Sequence, residues 1–423
     1  MIFTPFSFFL LCARTKLLRF RNVVNHQCAG YLLIMVAIGL NGCVGVPRLP
    51  AVPEGQGQNA QIEGMPGIRY VLTGSDGVRA LLTDCQYIQA QESKAELNAP
   101  AYYLSISGGG DNGAFGAGLL AGWTKRGDRP KFNLVTGIST GALIAPFAFL
   151  GPSYDSTLQE LYTQTSAKNI YKARNIFVGL DGDSLASDKP LQGLIDRYID
   201  FKFLMEVKKE YQVNHRMLLI GTTNLDSGAA VIWNMTKIAA IGTPEALTLF
   251  KRVMLASTSV PAFFPPVMFD VLLNGGSYQE MHVDGGASSQ VFLFPRSAIA
   301  LAKKLDIHGP AARKAYVIRN DRLGSTWADT DRWTVSIAMR SIEHIIQTQG
   351  FGDLFRIYIS SKQDGVDFNL AYIDSGFNFP HKEEFDAEYM SALFNYAQAK
   401  AMAGDSWIGD SAKLDRLFGS LPD

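Results

Sequence analysis

The chain has 423 residues, 47% of them hydrophobic, enough for one large domain or two ordinary ones with a sizeable core. Its 39 basic and 39 acidic residues cancel, and no local Lys/Arg cluster offers the electrostatic footprint that nucleic acid needs. No internal repeat, heptad run or low-complexity tract marks a solenoid or coiled coil.

Residues 1–42 carry Arg14, Lys16, Arg19 and Arg21 and no acidic residue. They include an apolar run from Tyr31 to Leu40 and lead into Asn41, Gly42 and Cys43. A basic region, a short apolar region and small residues at the cut predict a secretory signal peptide. About ten apolar residues are too few to span a bilayer comfortably. The ending Leu40-Asn41-Gly42-Cys43 resembles a bacterial lipobox, with Asn41 a less usual choice at its position. That resemblance implies cleavage before Cys43 and acylation of its sulfur. The alternative is an uncleaved anchor helix from about Ala29 to Val46. The apolar stretch from Phe6 to Leu11 is unusual in a signal, so the expected start lies downstream of Met1.

Cleavage removes Cys12 and Cys28, and acylation uses Cys43, which leaves Cys85 alone and no intramolecular disulfide. The four basic residues lost leave 35 against 39 acidic ones, so attachment to an anionic membrane would rest on the lipid. The expected location is the bacterial cell envelope, on the outer membrane if the cell is Gram-negative. Residues 43–98 read as the lipidated N-terminus and a linker. Within them 44–67 are rich in Pro, Gly and Gln without periodicity, and a short helix is expected around Val78–Gln91. A catalytic core is expected over 99–310, with 311–423 completing the same α/β domain.

The core opens with Ala101–Ile106, a buried-strand pattern, and runs into Ser107-Gly108-Gly109-Gly110-Asp111-Asn112-Gly113. A helix carrying Leu119, Leu120 and Trp123 follows, and Lys125–Asp128 ends it. The next strand, from Phe132, leads to Gly137-Ile138-Ser139-Thr140-Gly141 and a second helix. This is a right-handed βαβ unit with both glycine loops at the carboxyl ends of parallel strands, where open α/β sheets hold ligands. A serine between Gly137 and Gly141 sits on a sharp strand-to-helix turn with its hydroxyl exposed. Glycine N–H groups pointing into one spot beside a helix N-terminus suit a developing oxyanion. Gly108-x-Gly110-x-x-Gly113 also fits a dinucleotide fingerprint, but the second strand ends in Gly137-Ile138-Ser139 and lacks the acidic ribose ligand.

Further on, helices are expected at Ser156–Thr165 and from Asp188, with a Gly/Asp-rich loop over 179–184 between them. Arg216–Thr223 and Ala229–Asn234 read as a strand hairpin. A helix from Pro244 runs into Ala256–Pro266, a dense apolar turn expected to line a pocket. Met281–Ala287 places Asp284 at the end of a short strand, ahead of Gly285 and Gly286. Ala315–Asn320 and Asp353–Ser360 read as strands, and Asp331–Gln349 and Glu383–Met402 as helices with core-facing stripes.

Four elements in one order are similar to the patatin-like phospholipase family: Ser-Gly-Gly-Gly-x-x-Gly at 107–113, Gly-x-Ser-x-Gly at 137–141, Ala-Ser-x-Ser-x-Pro-x-x-Phe-Pro-Pro at 256–266, and Asp-Gly-Gly at 284–286. The resemblance covers about residues 100–300. It implies a three-layer α/β sandwich with a mainly parallel central sheet, no cofactor, and a Ser-Asp dyad without a catalytic histidine. By it, Ser139 is the nucleophile and Asp284 accepts its proton. Gly108, Gly109 and Gly110 form the oxyanion hole, and Gly137 and Gly141 shape the elbow. Many family members have Arg where this chain has Asn112, a difference read as a subgroup mark.

The rival hydrolase order, serine then acid then histidine, needs a histidine after Asp284. His308, His344 and His381 lie outside strand-end glycine contexts, and His282 is expected to point to the opposite side of its strand. No His, Cys, Asp or Glu spacing suggests a metal. The sequence thus reads as a serine acyl hydrolase of phospholipase A, lysophospholipase or esterase type, acting on lipid acyl esters and held to the membrane through Cys43. The alternative is a catalytically idle lipoprotein that binds lipid or a protein partner. The oligomeric state is not legible.

Overall fold

The computed structural model describes residues 46–419 apart from 94–95, 97, 175–182, 295, 306–309, 311, 325–326 and 328. The signal segment, Cys43, His308 and the loop 179–182 lie outside the described residues. From Arg48 on the described residues form one compact unit, and it holds every regular element described.

A nine-stranded sheet organises that unit. Its strands are β1 (Arg69–Val71), β2 (Ala101–Ile106), β3 (Leu134–Gly137), β4 (Met217–Asn224), β5 (Ala229–Asn234), β6 (Val267–Leu273), β7 (Gly276–Asp284), β8 (Arg313–Arg319) and β9 (Asp367–Tyr372). The main path runs β1-β5-β4-β3-β2-β8-β9, with β7 joined to β4 and β6 to β7. All pairs from β4 through β3, β2 and β8 to β9 are parallel. The remaining pairs are antiparallel, so the sheet is mixed and mostly parallel along its path.

Helices cover both faces, as a parallel sheet requires. They include α1 (Ser75–Gln91), α2 (Gly113–Arg126), α3 (Thr140–Leu150), α4 (Pro244–Ser257), α5 (Thr334–Gln363) and α6 (Ala387–Ala403). Successive residues of β4 alternate between the layers. Leu218 and Ile220 join the core built with α2, α3, α4 and α6. Met217 and Leu219 join the cluster that buries Val78, Leu81 and Leu82 of α1. The α/β sandwich that the motifs implied is therefore present.

Two expectations need correction. Asp353–Ser360 is not a strand but the last third of α5. Its β-branched and aromatic residues suggest a strand, yet Leu354 and Tyr358 are buried four residues apart, which is helical spacing, and Gly350 and Gly352 do not break the helix. The strand lies beyond it, at β9. The second correction concerns the expected linker. From Arg48 onward the chain is docked: Arg48 pairs with Asp226 at 2.7 Å, Gln61 bridges Leu272, and β1 pairs with β5. Arg69 is fully buried, with its guanidinium paired to Glu280 on β7. A segment rich in Pro and Gly lacks periodicity here because side-chain anchors and isolated bridges hold it, rather than long elements.

Candidate active site

The sheet brings Ser139 and Asp284 together through one strand edge. Along β4, Gly137 of β3 lies opposite Ile220, and there β3 stops to turn into Ser139. Asp284 of β7 lies opposite Thr222, two residues further along. β5 holds the other edge of β4 over Leu219–Asn224, so β7 continues the edge that β3 vacates. Two residues along a strand is about 7 Å.

Ser139 is half-buried at φ 55° and ψ −126°, a conformation an L-residue holds only when its surroundings force it. Its N–H donates to Oγ of Ser257 at 3.1 Å, and that hydroxyl donates to the carbonyl of Gly221 at 2.7 Å. The helix α3 starts at the next residue and packs close: a side chain on Gly141 would begin 2.2 Å from the carbonyl oxygen of Ile106.

Asp284 is buried. Its Oδ1 accepts the N–H of Gly286 at 2.7 Å, and its own N–H donates to the carbonyl of Ser259 at 2.8 Å. Burial pushes its carboxyl up to about 7, opposed by the hydroxyl of Ser139 and the Gly286 N–H. Oδ2 is buried without a hydrogen bond of full geometry, so the serine acts on the carboxyl from near it without a closed bond. Such contacts are often loose in a free site.

The glycine loop approaches from β2. A side chain on Gly108 would begin 3.1 Å from Cβ of Ser139. The Gly108 N–H, expected to serve the oxyanion hole, instead donates to the carbonyl of Gln290 at 3.1 Å, because the loop after Asp284 runs alongside. The Gly109 and Gly110 N–H groups make no hydrogen bond among the described residues. Gly109 sits at φ 152°, and a side chain there would begin 2.0 Å from the carbonyl of Asn320. Asn320, just past β8, holds the loop's base: its N–H donates to Ser107 Oγ, its Nδ2 to Ser107 O, each at 2.9 Å, and its Oδ1 accepts the Gly116 N–H at 3.0 Å.

The loop's far end is held by the segment that precedes α6. Asp111 is buried, and its Oδ2 meets Nε2 of His381 at 2.7 Å and the N–H of Phe385 at 2.9 Å. Asn112, at the subgroup position, accepts the Tyr389 hydroxyl at 2.6 Å. His381, exposed at the surface, is thus also a neighbour of the glycine loop.

His282 also departs from expectation, since residues two apart share a strand face and it lies on the same face as Asp284. What removes it is enclosure: it is fully buried, with Nδ1 on Thr222 at 2.8 Å and Nε2 on Glu280 at 3.0 Å. His344 is exposed on α5. Among the described residues no group of three His, Cys, Asp or Glu side chains is placed to hold a metal. A cavity of about 1020 Å³ lies on the α1 side of the sheet and reaches Ile138, Gly221 and Gly285, but neither Ser139 nor Asp284 lines it. The stretch Ala256–Pro266, expected to line a pocket, does not line this one either.

The roles of Ser257, Gln290, Asn320 and the Asp111–His381 pair emerge only from the fold. Two of them carry a partial signal in the sequence. Ser257 lies inside the Ala-Ser-x-Ser motif, and Asn320 ends a parallel strand, the place where such sheets carry sites.

Residues 104–295, less than half of the chain, match the sequence model described as patatin-like phospholipase, so this stretch is similar to that family. Among solved structures, VipD from Legionella pneumophila is 10% identical, with 79% of this chain and 74% of that chain covered at a TM-score of 0.34. The type III effector protein ExoU is also 10% identical, with 76% and 58% covered at a TM-score of 0.20. At such scores these two add nothing to the domain match. No curated protein matches the chain.

Proposed function

We propose that this protein is a serine acyl hydrolase that cleaves lipid acyl esters with a Ser139–Asp284 dyad. Ser139 Oγ attacks the ester carbonyl carbon while its proton passes to Oδ2 of Asp284. The N–H groups of Gly109 and Gly110 receive the negative oxygen. Collapse expels the alcohol, which takes the proton from Asp284, and leaves an acyl-serine. Water attacks that acyl group, with its proton going to Asp284, and Asp284 returns that proton to Ser139 Oγ as the bond to the fatty acid breaks. The observation that supports this reading is a strained, half-buried Ser139 whose hydroxyl acts on the buried carboxyl of Asp284, with the glycine loop packed against it at Gly108.

The substrate class is phospholipid or lysophospholipid, and the enzyme is displayed from the bacterial envelope through acylated Cys43. The match over residues 104–295 supports a phospholipid substrate, and the lipobox resemblance supports the anchor.

Fluorophosphonate labelling and short-chain ester hydrolysis test the chemistry. Wild type should label and turn over, and Ser139→Ala and Asp284→Asn should do neither. A wild type inert to both, even with detergent or membranes present, overturns the reading. Loss of metabolic palmitate incorporation in Cys43→Ser tests the anchor, and unchanged incorporation refutes it.

A further inference from the structure

The glycine loop is clamped from three sides. Gln290 takes the N–H of Gly108, Asn320 holds Ser107 and Gly116, and His381 with Phe385 holds Asp111. Only the third clamp contains a group that changes charge near neutral pH. We propose that His381 is a positioning residue: by holding Asp111 it sets the Gly109 and Gly110 N–H groups for the oxyanion, and it acts on turnover rather than on substrate affinity. The proposal rests on the hydrolase reading above.

The geometry is specific. His381 lies flat on Tyr389, with ring centres 4.2 Å apart and planes 27° apart, and Tyr389 in turn reaches Asn112. The two side chains therefore grip consecutive residues, Asp111 and Asn112, immediately after the two glycines whose N–H groups are unbonded among the described residues. Phe385 beside them has φ 59°, so the clamp segment is itself held in a conformation that a simple surface loop would relax. Asp111 is buried, and a buried carboxylate needs a cation or donors to stay in place.

The charged groups around His381 come from every packed element. Asp111 faces it from the glycine loop, and Glu384 and Asp386 from its own segment. Glu343 of α5 faces Glu384, and Asp321 and Arg322, after β8, face Tyr389. The hydrogen bond to Asp111 raises His381 above its ordinary value, against partial burial. Glu384 is exposed, and the negative charge of Asp111 raises its carboxyl while His381 opposes. The charged clamp is thus present at lower pH and weakens as pH rises through the raised histidine value.

The test is the kcat and KM of a soluble ester across pH 5–10 for wild type, His381→Ala, His381→Gln and Ser139→Ala, with a thermal melt of each. His381→Ala should lose about tenfold in kcat with KM unchanged, a fraction of what deleting an oxyanion donor removes. His381→Gln keeps a donor toward Asp111, so it should recover part of that loss while flattening the alkaline limb of the profile. His381→Ala with wild-type kcat and an unchanged profile overturns the proposal. If that variant does not melt cooperatively, His381→Gln decides alone, and an unchanged alkaline limb overturns it. Full activity in Ser139→Ala instead overturns the nucleophile reading beneath it.

Discussion

The backbone N–H of Ser139 donates to the hydroxyl of Ser257, 118 residues away in sequence, and that hydroxyl passes the hold on to Gly221. One buried side chain therefore keeps the elbow at positive φ. Ser257→Ala leaves a buried N–H and a carbonyl without partners and should destabilise by about 1–3 kcal/mol. It should also lower kcat, because the serine can relax out of its strained conformation. Chemical denaturation and steady-state kinetics of the same variant check both; wild-type values for both would refute the hold.

Asp284 gives a pH dependence. On the dyad reading its carboxyl must be ionised to accept a proton, so kcat/KM should rise with pH through about 7. Stability runs the other way. A carboxyl raised in the fold is neutral at no disadvantage below its ordinary value of 3.8, and it weakens the fold as pH climbs through about 7. Asp284→Asn should therefore match wild type near pH 4 and exceed it by up to about 4 kcal/mol at pH 8 and above. Melts at the two pH values check the sign.

Adjacent glycines should respond differently to alanine. Gly109→Ala drives a methyl into the Asn320 carbonyl and should abolish folding or labelling. Gly110 has φ 57° and open space around it, so Gly110→Ala meets only backbone strain of about 1–2 kcal/mol. A circular-dichroism melt and fluorophosphonate labelling separate the two.

The centre of this site is legible in the motifs alone. Ser139 and Asp284 stand in short glycine contexts whose chemistry is local, and the strand and helix around each follow from nearby residues. The supports are illegible for the opposite reason. Asn320 and His381 act on residues more than two hundred positions earlier, and no local pattern distinguishes them from a strand end and a loop histidine. The C-terminal third of α5 misleads because its apolar residues satisfy two periodicities at once, and only the neighbouring strands β8 and β9 decide between them.

The buried pair of Arg69 and Glu280 sets a further expectation. Burial opposes ionisation of Glu280, but hydrogen bonds from His282 and Arg69 outweigh it and hold the carboxyl down at about 2. Its contribution is complete above its ordinary 4.5 and fades only as pH falls through about 2. Arg69→Met leaves that carboxylate buried without its cation and should destabilise by about 3–5 kcal/mol. Urea unfolding near pH 7 measures it, and a loss below about 1 kcal/mol would argue against the pair as an anchor of the N-terminal segment.

The assembly of the glycine loop sets an order of events during synthesis. Its three clamps come from residues near 290, 320 and 381, and the serine it serves lies at 139. Pairings at such separation close late in folding. A growing chain can thus make the elbow early yet stay inert toward lipid until nearly its whole length has emerged. On the lipid-hydrolase reading proposed above, that delay acts as a safeguard written into the topology.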